Sequence, residues 1–319
     1  MLKLSKNQVT SFSNNIFSVD TGYTREKFAA VHLVIENDKV LIIDTGTVFS
    51  VKNIQNALER LGLSFLRVEW IILTHIHLDH AGGAGQLMKN CPNATLGVHK
   101  KGKRHLVDPT RLWTSVLSVY GEAKAKKLYG ELIAIEESRI EVLNEGVEIN
   151  FHGRVFEIWD TPGHAKHHIL IRDTKTKAMF SGDTFGVSYR EFDTEQGCFC
   201  FISSTPTQFE PFDLSKSIRR ILAASPPEIY LTHYSKVGHI QKIGQELLLQ
   251  VDEYVQIANE SKEYGAQTLK VIQEKMLALL MNKAIDHGYT GSKKRITELI
   301  WLDVTLNSAG LANWLNASS

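Results

Sequence analysis

Residues 28–44 hold two short apolar runs rich in β-branched residues, AAVHLVIE and VLIID, on either side of the polar pair Asn37-Asp38. Two β-rich runs joined by a polar two-residue turn predict a β-hairpin. The period then changes. Ile54, Leu58 and Leu61 recur at helical spacing, and the next apolar run, Trp70-Ile71-Ile72-Leu73, is short enough for a buried strand. Further apolar runs predict strands over residues 95–98, 147–150, 155–159, 169–171, 178–180 and 228–231. Residues 101–137 carry long charged and apolar side chains with a single proline, Pro109, which predicts a helical insertion able to cover a site. Beyond residue 240 there is no proline, and Leu247, Leu248, Val251, Val255 and Ile257 fall at amphipathic-helix spacing. The expected organisation is an α/β body with an antiparallel component over residues 1–240 and a C-terminal helical extension over 241–319. The stripe on the extension is read as a packing surface, in the core or on a homodimer face, rather than as a ligand box.

Composition narrows the partners. The 319 residues include 36 Lys plus Arg and 35 Asp plus Glu, a net charge of +1, and 43% are hydrophobic. That is ordinary globular composition, which excludes a disordered chain. It offers no bulk charge to attract nucleic acid or an acidic membrane. No apolar run approaches the ~20 residues of a membrane span, and residues 1–17 are polar where a secretion signal would be apolar. Three cysteines, Cys91, Cys198 and Cys200, are too few for a disulfide framework. A cytoplasmic protein acting on a small molecule, with no nucleic-acid or membrane partner, is expected. Cys198-x-Cys200, with Phe199 and Phe201, is read as a strand rather than a metal knuckle because no second Cys/His pair lies near it.

The chemistry is concentrated in Thr74-His75-Ile76-His77-Leu78-Asp79-His80-Ala81-Gly82-Gly83. With 13 histidines in the chain, chance would give such an H-x-H-x-D-H run in roughly one chain in a thousand of this composition. In an extended segment His75, His77 and Asp79 would share a side, with His80 facing elsewhere, so one turn can serve two metals. Imidazole nitrogen and carboxylate oxygen suit zinc, iron or manganese rather than copper(I). Three more ligand-type residues follow apolar runs: His164 in Thr161-Pro162-Gly163-His164, Asp183 in Ser181-Gly182-Asp183, and His233 after Thr232. Sites in α/β proteins gather beyond the carboxyl ends of strands, so this recurrence predicts one shared site. His168 is read as a neighbour supporting it and His167 as outward-facing. His32, His99, His105, His152, His239 and His287 are read as structural or surface residues. Trp113, Tyr120, Phe185, Tyr189 and Tyr234 are candidates for a pocket wall or for core packing.

These motifs, with Asp44-Thr45-Gly46 at a strand end, resemble the metallo-β-lactamase-fold superfamily of binuclear metallohydrolases over residues 15–240. The resemblance implies a four-layer αβ/βα sandwich, two divalent metal ions per chain, zinc first with iron or manganese as alternatives, and a hydrolase. It implies one metal held by His75, His77 and His164, a second held by Asp79, His80 and His233, and Asp183 bridging both, with Asp44 supporting. Such a pair of cations activates a shared water and polarises the substrate oxygen. Asp79 is the candidate to orient that water and pass its proton on.

Departures from the family narrow the substrate. An aspartate stands at 183 where β-lactam-destroying members carry cysteine, and the all-His/Asp set is similar to that of glyoxalase II, acyl-homoserine lactonases and the phosphodiesterase branch. Gly186 stands where such lactonases carry tyrosine. Lys293, Lys294 and Arg295 form the basic cluster available for a glutathione moiety. The stretches 106–113, 204–211 and 306–311 resemble a poorly characterised hydrolase-like branch. The expectation is hydrolysis of an ester-like, thioester or phosphodiester bond, with glyoxalase II-type thioester hydrolysis as the specific case. The rival is a regulatory protein that keeps the metal-binding fold and contacts a partner through its C-terminal helices.

Overall fold

The structure is a computed structural model that describes residues 9–317. The reading of a polar N-terminus therefore rests partly on residues 1–8, which lie outside the described residues. Strands β1 (Val9–Ser11), β2 (Ile16–Asp20), β3 (Ala30–Glu36) and β4 (Lys39–Ile43) form an antiparallel meander. Its last turn is the hairpin expected at Asn37-Asp38, where both residues have positive φ (50° and 59°). That backbone twist matches the twist of the flanking strands, and Asn and Asp tolerate it. Helix α1 (Val51–Arg60) crosses to β5 (Val68–Ile72), which runs parallel to β4. Next come α2 (Leu78–Ala81), α3 (Ala84–Asn90) and β6 (Thr95–Val98), followed by helices α4 (Lys100–Val107), α5 (Thr110–Tyr120) and α6 (Glu122–Tyr129). Strand β7 (Ile140–Val142) closes a seven-stranded sheet whose spatial order is its chain order.

The second sheet has six strands. β8 (Glu148–Phe151), β9 (Arg154–Asp160), β10 (Ile169–Asp173) and β11 (Met179–Gly182) are antiparallel neighbours. After α7 (Pro211–Ala224), β12 (Ile229–Leu231) lies parallel to β11 and pairs with β13 (Ser235–Val237) at the edge. Three long helices finish the chain: α8 (Ile240–Ser261), α9 (Thr268–Asp286) and α10 (Lys293–Ala317).

Side-chain alternation along the strands assigns the layers. On β4, Val40 and Ile42 join an apolar cluster with Ile54, Leu58 and Leu87 of α1 and α3, while Leu41 and Ile43 face the other way. There they meet Phe156, Ile158, Ile169, Ile171 and Phe180 of the second sheet. On β12, Tyr230 joins this intersheet layer, whereas Ile229 and Leu231 share a third cluster with Ile218 of α7 and Leu247, Val251, Met276 and Val304 of the carboxyl-terminal helices. Helix, sheet, sheet, helix is the four-layer αβ/βα sandwich. Of the stripe on α8, Leu247, Leu248, Val251 and Ile257 are buried within this chain and Val255 is half-buried. The helical extension read beyond residue 240 is interrupted at Gly265, whose backbone is non-helical. The segment Cys198–Cys200 is not a strand: it is a loop between two isolated bridges, Thr194 with Gly197 and Val187 with Phe201.

Candidate metal centre

Every candidate ligand sits beyond the carboxyl end of a strand. β5 runs into Thr74, His75 and His77; β9 into the turn that ends at His164; β11 into Asp183; and β12 into His233. The chain leaves the extended state sooner than the sequence pattern suggested, because α2 begins at Leu78 with His77 as its N-cap. The helical turn swings His80 to the site beside Asp79, where a continued strand would have turned it away. The H-x-H-x-D-H run thus divides into an extended pair and a helical pair. Gly83 permits that turn to sit against the loop after β4, because a Cβ there would lie 2.7 Å from the Thr47 carbonyl oxygen.

Three groups of ligand atoms lie mutually within 4.8 Å: His75, His77 and His164; Asp79, His80 and His233; and His75, His80 and Asp183. His75 Nε2 and His164 Nε2 approach His77 Nδ1 to 2.7 and 3.1 Å. The Asp79 Oδ2 atom is 3.3 Å from His233 Nε2 and 3.8 Å from His80 Nε2. Asp183 stands between the sets, with Oδ1 3.4 Å from His80 Nε2 and Oδ2 3.5 Å from His164 Nε2.

The far side of several rings is fixed. His164 Nδ1 donates to the Ser203 carbonyl and His233 Nδ1 to that of Phe28, each at 2.9 Å. His80 Nδ1 donates to Asp44 Oδ2 at 2.9 Å. The Thr74 hydroxyl donates to the Asp44 carboxylate at 3.0 Å, which leaves its oxygen to accept from His75 Nδ1 at 3.1 Å. A ring nitrogen that gives its proton away from the centre leaves the other bare and aimed inward, the arrangement metal-binding histidines require. Asp44 also accepts from the Thr74 amide and the Thr232 hydroxyl, each at 2.8 Å. These bonds hold it at φ 61°, an uncommon conformation for a non-glycine residue. His168 supports Asp183: its Nε2 accepts from the Asp183 amide at 3.1 Å, and its Nδ1 lies 2.9 Å from the Thr161 hydroxyl. Gly182 makes room for it, since a Cβ there would meet His168 Nε2 at 2.5 Å.

The electrostatics fit a cation. Burial, then the neighbouring imidazoles, holds His75 and His77 well below the ordinary histidine range, so both are neutral donors. Burial opposes charge on Asp79 and Asp183 too, but adjacent histidines outweigh it and keep both carboxylates ionised. At His80 burial is outweighed by Asp183, Asp79 and Asp44, which push it well above the ordinary range. Three carboxylates around one imidazole form a focus of negative charge. His80 Nε2 and Asp183 Oδ1 are buried and make no well-formed hydrogen bond, their mutual contact being 3.4 Å, an arrangement that a cation engaging both would relieve. Nitrogen and oxygen donors without sulfur suit zinc, iron or manganese.

The centre opens into a cavity of about 560 Å³. Tyr23 and Phe28, Leu112, Val116, Val119 and Tyr120 of α5, Tyr129 of α6, and Leu302 and Leu306 of α10 give it apolar walls. Of the aromatic candidates, Tyr120 lines the cavity; Trp113, Phe185, Tyr189 and Tyr234 are not among its lining residues. His167 is not outward-facing. It is buried, lines the cavity and has an unpartnered Nδ1, because the tight turn at Pro162-Gly163 carries residues 164–168 across the cavity edge. His105 also lines the cavity, outside the three donor groups.

Sequence reasoning did not connect the 204–211 and 306–311 stretches, which are in contact. Asn307 Oδ1 accepts from the Ser204 amide at 2.8 Å, and its Nδ2 donates to the Ile202 carbonyl at 2.9 Å. The Thr205 hydroxyl in turn donates to the His164 carbonyl at 2.9 Å. α10 thereby braces the loop that holds His164. Asp303, one turn earlier on α10, lines the cavity and was likewise missed. An isolated aspartate in a helical run carries no local signal of its own.

An αβ/βα sandwich with a histidine- and aspartate-rich centre at the strand ends defines a class of metal-binding proteins, and known proteins give that class a name. The family model of the metallo-beta-lactamase superfamily matches residues 24–233, and the chain belongs to this superfamily. Among curated relatives, a hydroxyacylglutathione hydrolase of Aeromonas salmonicida (strain A449) is 27% identical over 213 residues, covering 66% of this chain and 63% of that protein. The metallo-beta-lactamase fold-containing protein ST1585 of Sulfurisphaera tokodaii is 25% identical over 70% of this chain and 79% of its own. The chain thus spans less than two thirds of the length of the Aeromonas relative. Among solved structures, the metallo-beta-lactamase family protein TTHA1429 from Thermus thermophilus superposes with a TM-score of 0.63 at 17% identity, over 95% of this chain and 93% of that one. That likeness extends the shared fold over the carboxyl-terminal helices.

Proposed function

We propose that the protein is a metal-dependent hydrolase that cleaves an ester-like or thioester bond in a small, largely apolar molecule. In this reading His75, His77 and His164 hold one divalent ion, Asp79, His80 and His233 hold a second, and Asp183 spans both. The observation that carries it is the pair of buried atoms without a well-formed hydrogen bond, His80 Nε2 and Asp183 Oδ1, amid inward-aimed donors at the mouth of an apolar cavity. When bound, the two ions supply a nucleophile from water at neutral pH and draw charge from the scissile carbonyl. The protein's part is positioning and proton transfer. The Asp79 carboxylate is ionised and lines the cavity, so it can accept the proton of the attacking water and return it to the leaving group.

The apolar walls favour an acyl group over a phosphodiester, whose charge would need cationic partners. Arg111 is the one Lys or Arg among the lining residues. Hydroxyacylglutathione, named for the Aeromonas relative, is the first thioester to test. Lys293, Lys294 and Arg295 begin α10 and are not lining residues, so a glutathione moiety would have to rely on Arg111.

The test is the hydrolysis rate of metal-reconstituted protein on a glutathione thioester, a simple alkyl thioester, a lactone and an aryl phosphodiester. His77→Ala and Asp183→Ala are expected to lose metal-dependent turnover at least a hundredfold. Native rates in both variants would overturn the site, and cleavage of the phosphodiester alone would overturn the acyl reading.

A further inference from the structure

The cavity contains one carboxylate that the metal centre does not use. Asp303 is presented by α10 between Leu302 and Leu306 and, with Asp79 and Asp183, accounts for all the carboxylates among the lining residues. Its two oxygens accept from a single side-chain donor, the Tyr189 hydroxyl, at 2.8 and 3.0 Å. That phenol is fixed: the Tyr189 ring is fully buried, stacks on Phe28 at 5.1 Å between centroids, and lies under the Arg25 guanidinium at 4.3 Å. Arg25 nonetheless pairs with Glu191 at 2.9 Å, and Asp303 makes no ion pair among the described residues.

A carboxylate can accept about four hydrogen bonds. One side-chain donor and a contact with its own backbone leave part of that capacity facing a cavity with apolar walls, where an ionised group is costly unless further donors reach it. Burial accordingly pushes the Asp303 carboxyl up to about 6, with the Tyr189 bond pulling the other way. No structural role consumes the remaining capacity, whereas Asn307, one turn further along α10, makes the contacts that dock the helix.

We propose that Asp303 is a specificity-determining residue: it accepts a hydrogen bond from a hydroxyl or amino group on the otherwise apolar acyl chain of the substrate. The inference rests on the acyl-hydrolase reading and deepens it by naming the substrate class, a hydroxyacyl or aminoacyl ester or thioester. Such a bond to this half-buried carboxylate discriminates against a chain lacking the donor, because an apolar chain filling the cavity then strips water from the carboxylate without compensation.

The experiment compares N-acetylcysteamine thioesters of octanoic acid with hydroxy- and amino-octanoic acids substituted at different chain positions, measuring kcat and KM separately. Calorimetry on the matching N-propyl amides reads binding whether or not the thioesters are cleaved. At least one donor-bearing chain is expected to exceed the plain octanoyl chain about tenfold or more, in kcat/KM and in affinity. Asp303→Leu is expected to reduce that ratio to near one. Asp303→Asn, which keeps an acceptor for Tyr189 and so preserves the local structure, separates the two donors: it retains part of a hydroxyl preference and loses an amino preference. Equal binding of plain and substituted amides to the native protein, or a native ratio that survives in both variants, overturns the proposal. Discrimination among the amides with no thioester cleaved would instead overturn the acyl-hydrolase reading and leave Asp303 as a binding determinant.

Discussion

Asp44 shows how one side chain governs others. It accepts from the Thr74 amide and hydroxyl, from Thr232 and from His80 Nδ1. In Asp44→Asn the amide oxygen can still satisfy Thr74, but the amide nitrogen then faces His80 Nδ1–H, donor against donor. His80 resolves the clash by moving its proton to Nε2, the atom proposed as a ligand. Metal affinity at the Asp79, His80 and His233 group should fall about 10- to 100-fold, read by competition with a chromogenic chelator; unchanged affinity would mean that Asp44 does not set the tautomer. A second prediction concerns His32, buried in the intersheet layer against Phe180 and Tyr230. Burial lowers it to about 4, with an unpartnered Nε2. The unfolded chain takes up a proton near pH 6.5 that the fold refuses, so its contribution is intact above pH 6.5 and is lost as pH falls toward 4. By pH 5 that penalty is about 2 kcal/mol. His32→Leu should therefore gain that much on the native protein between pH 7.5 and 5 in urea unfolding, and parallel pH curves would refute the assignment.

At the scale of elements, legibility followed locality. The hairpin at Asn37-Asp38, α1 and the strand ends that carry ligands are written in short periodic runs and turn residues. β1, β7 and β13 are three residues each, too short for a period to register. The two metal-ligand groups came from a resemblance, because local alternation pointed His80 the wrong way until the α2 turn corrected it. The role of α10 was illegible for a different reason: Asn307 reaches a loop 103 residues earlier in the chain. That contact makes its own prediction. Asn307→Leu leaves the Ser204 amide buried without a partner and the Ile202 carbonyl with the Tyr254 hydroxyl alone, at a cost of about 1–3 kcal/mol. It also loosens the loop whose Ser203 carbonyl orients His164. Thermal unfolding should drop by several degrees, and KM and metal affinity should worsen together. A stability loss with an unaltered metal affinity would reduce Asn307 to a packing role.

The molecule as a whole is two half-sandwiches, each delivering part of one centre. His75, His77, Asp79 and His80 come from the end of the first sheet, and His164, Asp183 and His233 from the second. Their meeting brings bare carboxylates and imidazoles into a buried space across the intersheet layer, so the centre sits at the seam that unfolding would open. A cation bound there by donors from both halves must stabilise the fold by mass action, since the unfolded chain cannot assemble the same donors. At a free metal concentration of a hundred times Kd, one site contributes about 2.7 kcal/mol, a rise of roughly 4 °C in Tm for a chain of this size. Chelator treatment should therefore lower Tm, and zinc or manganese should restore it in a concentration-dependent way. His77→Ala and His233→Ala, one from each half, should each blunt the response. If metal raised Tm equally in the native protein and in both variants, it would be binding elsewhere, and the seam would be held by packing alone.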